Sequence, residues 1–162
     1  MSTAQFRSDA ERNSRISSRS DSEQLEHAGP PSTGEEGRRP IAAIVADLSR
    51  PVAPRHIRTR KQGGSTLSYI EWHTACNYLD HFAPGWAWEI ISIAEHVGGL
   101  TVVHGSLSIP AAEGPVTRHA TGIEETDNKG YGDAVSNASA MAFKRAAAMF
   151  GLGRHLYSKA LE

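Results

Sequence analysis

The stretch "AVSNASAMAFKRAAAMFGLG" (Ala134 to Gly153) decides how the rest of the chain must be arranged. From Ala134 to Phe150 it holds neither glycine nor proline, it follows Asp133, and it halts at Gly151. Aspartate at this place accepts from the free N–H groups of a first helical turn, and glycine just past the end takes the left-handed conformation that closes one. The spacing predicts one long helix. At 100° per residue, Val135, Ala138, Ala142, Ala146, Met149 and Phe150 form one apolar stripe. Its alanines are shallow, so the helix can lie close on a sheet. Lys144 falls opposite the stripe and Arg145 on its edge, which sets a doubly charged step on the exposed side of a small, apolar helix.

The sheet precedes it. "WAWEIISIAEHV" (Trp86 to Val97), "LTVVHGSLSI" (Leu100 to Ile109) and "VTRHATGIEE" (Val116 to Glu125) read as three strands, separated by Gly98-Gly99 and by "PAAEGP". In the first, Trp86, Trp88 and Ile90 share one face and Ile91 and Ile93 the other, so it is buried on both sides or contains a bulge. "TDNKGYG" (Thr126 to Gly132) is a loop rich in turn formers. Further back, "EWHTACNYLDHFAPGW" places Trp72, Ala75, Leu79 and Phe82 on one helical face, closed by Pro84-Gly85. "RHIRTRKQGGSTLSYIEW" (Arg55 to Trp72) is a hairpin about Gly63-Gly64 with basic residues crowding its first arm. "PIAAIVADLSRP" (Pro40 to Pro51) is a short helix in which Ile41, Ile44, Val45 and Leu48 recur. The fold class is α+β: a β-hairpin, a helix and a three-stranded antiparallel sheet packed against a long C-terminal helix, in the order β-β-α-β-β-β-α.

A chain of 162 residues is enough for one domain. Residues 1–39 are Ser-, Arg- and acid-rich with few large apolar side chains, and are expected to be a disordered tail; residues 40–162 form the domain. No apolar run approaches the roughly 18 residues that cross a bilayer, so no membrane association is expected. An Arg- and Ser-rich start fits an organellar transit peptide, but Asp9, Glu11, Asp21 and Glu23 argue against one. A cytoplasmic, nucleoid-associated protein is expected.

Chemistry is sparse. No Gly-x-x-x-x-Gly-Lys-Ser/Thr loop occurs, and Gly151-Leu152-Gly153 follows a helix, which makes it a stop and not a dinucleotide loop. His73 and Cys76 lie one helical turn apart, yet no further cysteine or clustered histidine completes a metal site. No nucleophile stands beside a base. The reading is of a non-enzyme with no catalytic residue, metal or cofactor. What remains is the basic arm "RHIRTRK", the Lys144-Arg145 step, and Tyr69 and Trp72 between them. The net charge of −1 means that any basic surface is local. These residues are a nucleic-acid surface or an ordinary solvated face.

Beyond this point a resemblance adds what patterning does not. "GGSTLSYIEWH", "APGWAWEI" and "KGYGDAVSNASAMAFKRAAAMFGLGRHLY" together resemble the Rad fifty-two/twenty-two family of single-strand annealing recombination proteins, above all its short bacterial and plant-organellar members. The likeness spans about Pro40 to Tyr157. It implies a ring of identical subunits with a basic outer groove, floored by hairpin and long helix, that holds single-stranded DNA by its phosphates. Carried over, Lys144 and Arg145 match the family's Lys-Arg pair and Tyr69 its groove tyrosine. Arg60 matches the hairpin arginine after a one-residue gap; Arg58 competes for that role, and Lys61 assists either. Eukaryotic members have an arginine where Ala148 stands and, at a second, outer DNA site, a lysine where Leu100 stands. Their long C-terminal recruiting region has no counterpart before Glu162.

The function so implied is ATP-independent annealing of complementary single strands in recombinational DNA repair. The rivals are a protein that coats and protects single-stranded ends without annealing them, and an RNA-binding module. The partners implied are single-stranded DNA and further copies of the chain, with a single-strand-binding protein or a recombinase as candidates beyond these.

Overall fold

The computed structural model describes residues 37–127 and 132–158. The tail expected over 1–39 therefore lies outside the described residues up to residue 36, as does the middle of the loop expected over Thr126 to Gly132. The elements are α1 (Ile41–Leu48), β1 (Ile57–Gln62), β2 (Ser65–Ile70), α2 (Trp72–Phe82), β3 (Ala87–Val97), β4 (Leu100–Ala111), β5 (Gly114–Glu125) and α3 (Ala134–Met149). β1 and β2 pair as a two-stranded hairpin, and β3-β4-β5 form a separate antiparallel sheet. This is the α+β arrangement that the sequence predicts. No helix of the described residues is long and apolar enough to cross a membrane.

The period of two along β4 explains the layering. Thr101, Val103, Leu107, Ile109 and Ala111 are all buried, and this face of the sheet receives α3. The approach is close because both surfaces are small: a Cβ added at Gly122 of β5 would lie 1.8 Å from the Ala138 carbonyl oxygen of α3. On its other flank α3 meets α1, α2 and the end of the hairpin. Ile44, Leu48, Ile70, Leu79, Phe143, Ala147 and Phe150 make one core with Leu107 and Ile109. Fully burying a side chain of the leucine or isoleucine size is worth about 1.5–3 kcal/mol, so this shared core is what joins the two layers.

Two expectations are corrected by that arrangement, and a third, left open between two alternatives, is resolved. Because α3 is covered on two sides, Phe143 and Ala147 join the buried stripe, while Met149, at the helix end, is half exposed. On α2, Ala75, Leu79 and Phe82 are buried as expected, but Trp72 stands 57% exposed at the helix start. In β3 the register shifts between Ile90 and Ser92. The bulge turns Ile93 back to the face of Trp88 and Ile90, opposite the buried Val103, so the strand is bulged and not covered on both sides. Ile90, Ile91 and Ile93 remain exposed in the single chain.

Asp133 caps α3 as its position predicts, its carboxylate accepting from the Ser136 N–H at 2.8 Å and the Ser136 hydroxyl at 2.7 Å. The backbone N–H first, then the hydroxyl, hold its pKa below the ordinary aspartate value of 3.8. A depressed carboxyl contributes stability above the unfolded pKa and loses it as pH falls through the folded one. Asp133→Asn keeps an acceptor and removes the titration, so it is expected to flatten the acid limb of stability. Urea midpoints of both proteins, measured from neutral pH to below the aspartate range, check this; parallel acid limbs would contradict it.

Candidate nucleic-acid interface

In the hairpin, Arg58 pairs across to Tyr69, Arg60 to Leu67 and Lys61 to Thr66. Directly opposed residues of an antiparallel pair share a face. Arg58, Arg60 and Tyr69 are therefore on one side of the hairpin and Lys61 on the other. The face that carries Tyr69 meets α3. The Arg60 guanidinium carbon lies 5.6 Å from the Tyr69 ring centroid and the Lys144 Nζ 5.2 Å from it. Both are within the roughly 6 Å over which a cation is attracted to a ring face. One tyrosine thus holds a hairpin cation and a helix cation beside each other, although the two repel.

Arg58 has a different setting. Its Nε is 3.6 Å from a Glu71 carboxylate oxygen, and its Nη1 donates to the Arg55 carbonyl at 3.1 Å. Glu71 also has the His73 ring within 3.5 Å. Of the two candidate hairpin arginines, geometry groups Arg60 with Tyr69 and Lys144, and leaves Arg58 beside an acid. Arg145, one residue on from Lys144, lies on the other shoulder of the helix. It is exposed, and its Nη1 donates to the Thr121 carbonyl on β5 at 2.9 Å.

Lys144 is the constrained member. Burial first, and then the Arg60 charge, push its pKa below the ordinary 10.5, with Glu71 pulling the other way. A partly desolvated ammonium beside a guanidinium is an unfavourable pair that an anion between them would relieve. Lys144 thus reaches the hairpin through Tyr69, and Arg145 reaches β5 through the Thr121 carbonyl, so the two neighbouring cations diverge to opposite sides of α3. Cys76 lies elsewhere, in a groove with Trp72, Trp86 and Trp88, where burial, then the Asp80 charge, raise its thiol pKa.

A model described as Rad52/22 family double-strand break repair protein matches residues 40–162. The chain belongs to that family. Among relatives, the Arabidopsis thaliana protein named DNA repair RAD52-like protein 1, mitochondrial, is 42% identical over 120 residues, covering 74% of this chain and 68% of that protein. DNA repair RAD52-like protein 2, chloroplastic, of the same plant, is 32% identical over 123 residues, covering 74% of this chain and 61% of the relative. The resemblance read from the motifs is to this same Rad52/22 family.

The relatives overturn the cytoplasmic, nucleoid-associated location. Both carry organellar names, one mitochondrial and one chloroplastic. Asp9, Glu11, Asp21 and Glu23 therefore do not by themselves place the chain in the cytoplasm.

Two residues at the end of α3 have no role assigned from sequence. Arg154 donates from Nε to the Ala148 carbonyl at 2.9 Å and from Nη2 to the Met149 carbonyl at 3.0 Å. Tyr157 is 61% exposed. Its surroundings raise the phenol pKa, and the Arg145 charge opposes the rise. A basic residue just beyond a helix-closing glycine is a readable signal for capping carbonyls. The return of this turn towards Arg145 depends on tertiary packing, and no local pattern announces it.

Proposed function

We propose that this chain binds single-stranded DNA along the α3 ridge and anneals complementary strands without ATP, as the strand-handling step of double-strand break repair. The observation that carries the reading is the convergence of Arg60 and Lys144 on Tyr69, with Arg145 on the opposite shoulder, in a chain with a net charge of −1. Family membership supplies the repair context. Annealing needs no bond chemistry. Phosphates held by cations lose their mutual repulsion, and the base edges stay open to a partner strand. The organellar names of the relatives set the compartment in which we place this activity.

We assign the binding role to Arg60, Tyr69, Lys144 and Arg145, with Arg58 adjacent and Lys61 on the far face of the hairpin. Self-association into a ring is part of the proposal. It is supported by the exposed apolar side chains Ile90, Ile93, Val97, Leu100 and Ile123, and by a groove of about 530 Å³ lined by Trp72, Trp86, Trp88 and Phe143 among others. The second reading, end protection without annealing, is favoured by Ala148 and Leu100, where cations of longer family members are missing.

Fluorescence-quenched annealing of complementary oligonucleotides, without ATP and across a salt series, tests the proposal. The expected result is acceleration that falls with salt, binding weakening with a slope of about 0.7 per phosphate neutralised on single strands. Tight binding without acceleration would select end protection. Preference for RNA strands would select the RNA-binding reading, and a requirement for ATP would overturn the mechanism.

A further inference from the structure

The C-terminal end of α3 is where a strand lying along the ridge past Arg145 would leave the helix, and it is the wrong end for an anion. The last carbonyls of a helix have no partners within it, and the aligned peptide dipoles make that end negative. A phosphate arriving there meets repulsion unless a cation intervenes. Arg154 is that cation. Gly151 and Gly153, at φ +111° and +65°, turn the chain back on itself after the helix. The turn then packs beside Ile70, the residue after Tyr69, since a Cβ at Gly153 would lie 3.5 Å from the Ile70 Cδ1. The guanidinium is thereby laid over the Ala148 and Met149 carbonyls while the side chain stays exposed.

Capping uses only part of this group. A guanidinium has five N–H donors in a fixed fork, and the two bonds to the helix end come from Nε and Nη2. No carboxylate of the described residues pairs with Arg154. Its remaining donors face solvent at the level of Ala148, one helical turn beyond Lys144. We infer that Arg154 is the next phosphodiester contact beyond Arg145, a cation supplied from the turn to a stretch of helix whose own side chain, Ala148, offers none. The inference rests on the proposal that a single strand follows the α3 ridge.

Its rival is a purely structural cap, and the two roles separate under measurement. Arg154→Gln keeps amide donors for the carbonyls and removes the charge; Arg154→Lys keeps the charge and loses the fork. Binding of a fluorescent oligothymidine, which forms no hairpins, is followed by anisotropy across a salt series, with thermal melting of each protein alongside. The expected result is that Arg154→Gln binds several-fold more weakly at low salt, with a salt slope smaller by about 0.7, while Arg154→Lys retains the wild-type slope. A wild-type slope in Arg154→Gln, whatever its melting temperature, would make the residue a cap only. Equal loss of slope in both variants would assign the effect to helix-end geometry and also overturn the inference. Failure of the wild type itself to bind oligothymidine in a salt-dependent way would instead remove the underlying reading.

Discussion

Gly122→Ala is expected to cost the domain more stability than any surface change, and to lower its melting temperature by about 10 °C or more. The new Cβ would stand 1.8 Å from the Ala138 carbonyl oxygen and 2.7 Å from both the Ala138 carbonyl carbon and the Ala142 nitrogen. All three are backbone atoms of α3, so no rotamer change relieves the overlap. The helix must lift from the sheet by a distance on the order of an ångström, opening its packing over Val103, Ala138 and Ala142, all of which are fully buried. Overpacking relieved by such shifts costs typically about 1–3 kcal/mol and occasionally more, and a clash between two backbones belongs at the upper end. Against a total stability of about 5–15 kcal/mol for an ordinary domain, that is a large fraction. Gly63→Ala is the control. Gly63 has φ +56° with nothing within 4 Å of the added carbon, so it isolates conformational cost, about 1–2 kcal/mol. Circular-dichroism melting of both variants decides the matter: a Gly122→Ala curve no lower than the Gly63→Ala curve would show that helix and strand do not approach this closely.

That close approach also marks the limit of what the sequence shows. Local chemistry is readable: Asp133 as a cap, Gly151 as a stop, Gly63-Gly64 as a hairpin turn, and the alternation of β4. Each depends on residues within a few positions of one another. The bulge of β3 is readable as one of two alternatives, because the conflict between Ile90 and Ile91 is written in the strand itself. Packing between distant segments is not readable in this way. Nothing near Trp72 says that it stays uncovered, and nothing near Phe143 says that a second layer lies over it. The site divides in the same way. Lys144 and Arg145 are legible as a charged step on a helix, but the choice of Arg60 over Arg58 as the partner of Lys144 depends on the Glu71 carboxylate and the shared Tyr69 ring. Within the same basic arm, strand parity puts Lys61 on the opposite face of the hairpin from its neighbour Arg60.

The double replacement Lys144→Ala with Arg145→Ala should weaken single-strand binding by about 3 kcal/mol, on the order of a hundredfold at low salt, if each makes one charge-assisted phosphate bond. The salt slope should fall by about 0.7 for each phosphate bond removed. Stability should move differently. Lys144 has a pKa depressed by burial and by Arg60, so the unfolded chain binds its proton more tightly than the folded one. Stability from this group therefore rises as pH climbs through the depressed folded value toward the ordinary 10.5, and the penalty is fully present at neutral pH. Lys144→Met removes the charge and keeps the apolar stem, and is expected to melt no lower than wild type at neutral pH while binding DNA more weakly. The same linkage gives binding a pH dependence: a phosphate favours the charged amine, so affinity should decline as pH enters the window below 10.5 in which free Lys144 loses its proton. Lys144→Arg should resist that decline. Anisotropy titrations over salt and pH, paired with melting curves, read all of these together. A double variant with wild-type affinity and slope would remove α3 from the binding surface. A Lys144→Met protein that binds weakly but also melts well below wild type would mean that Lys144 supports the fold, and that its setting beside Arg60 and Tyr69 is not a cation held in strain for an incoming phosphate.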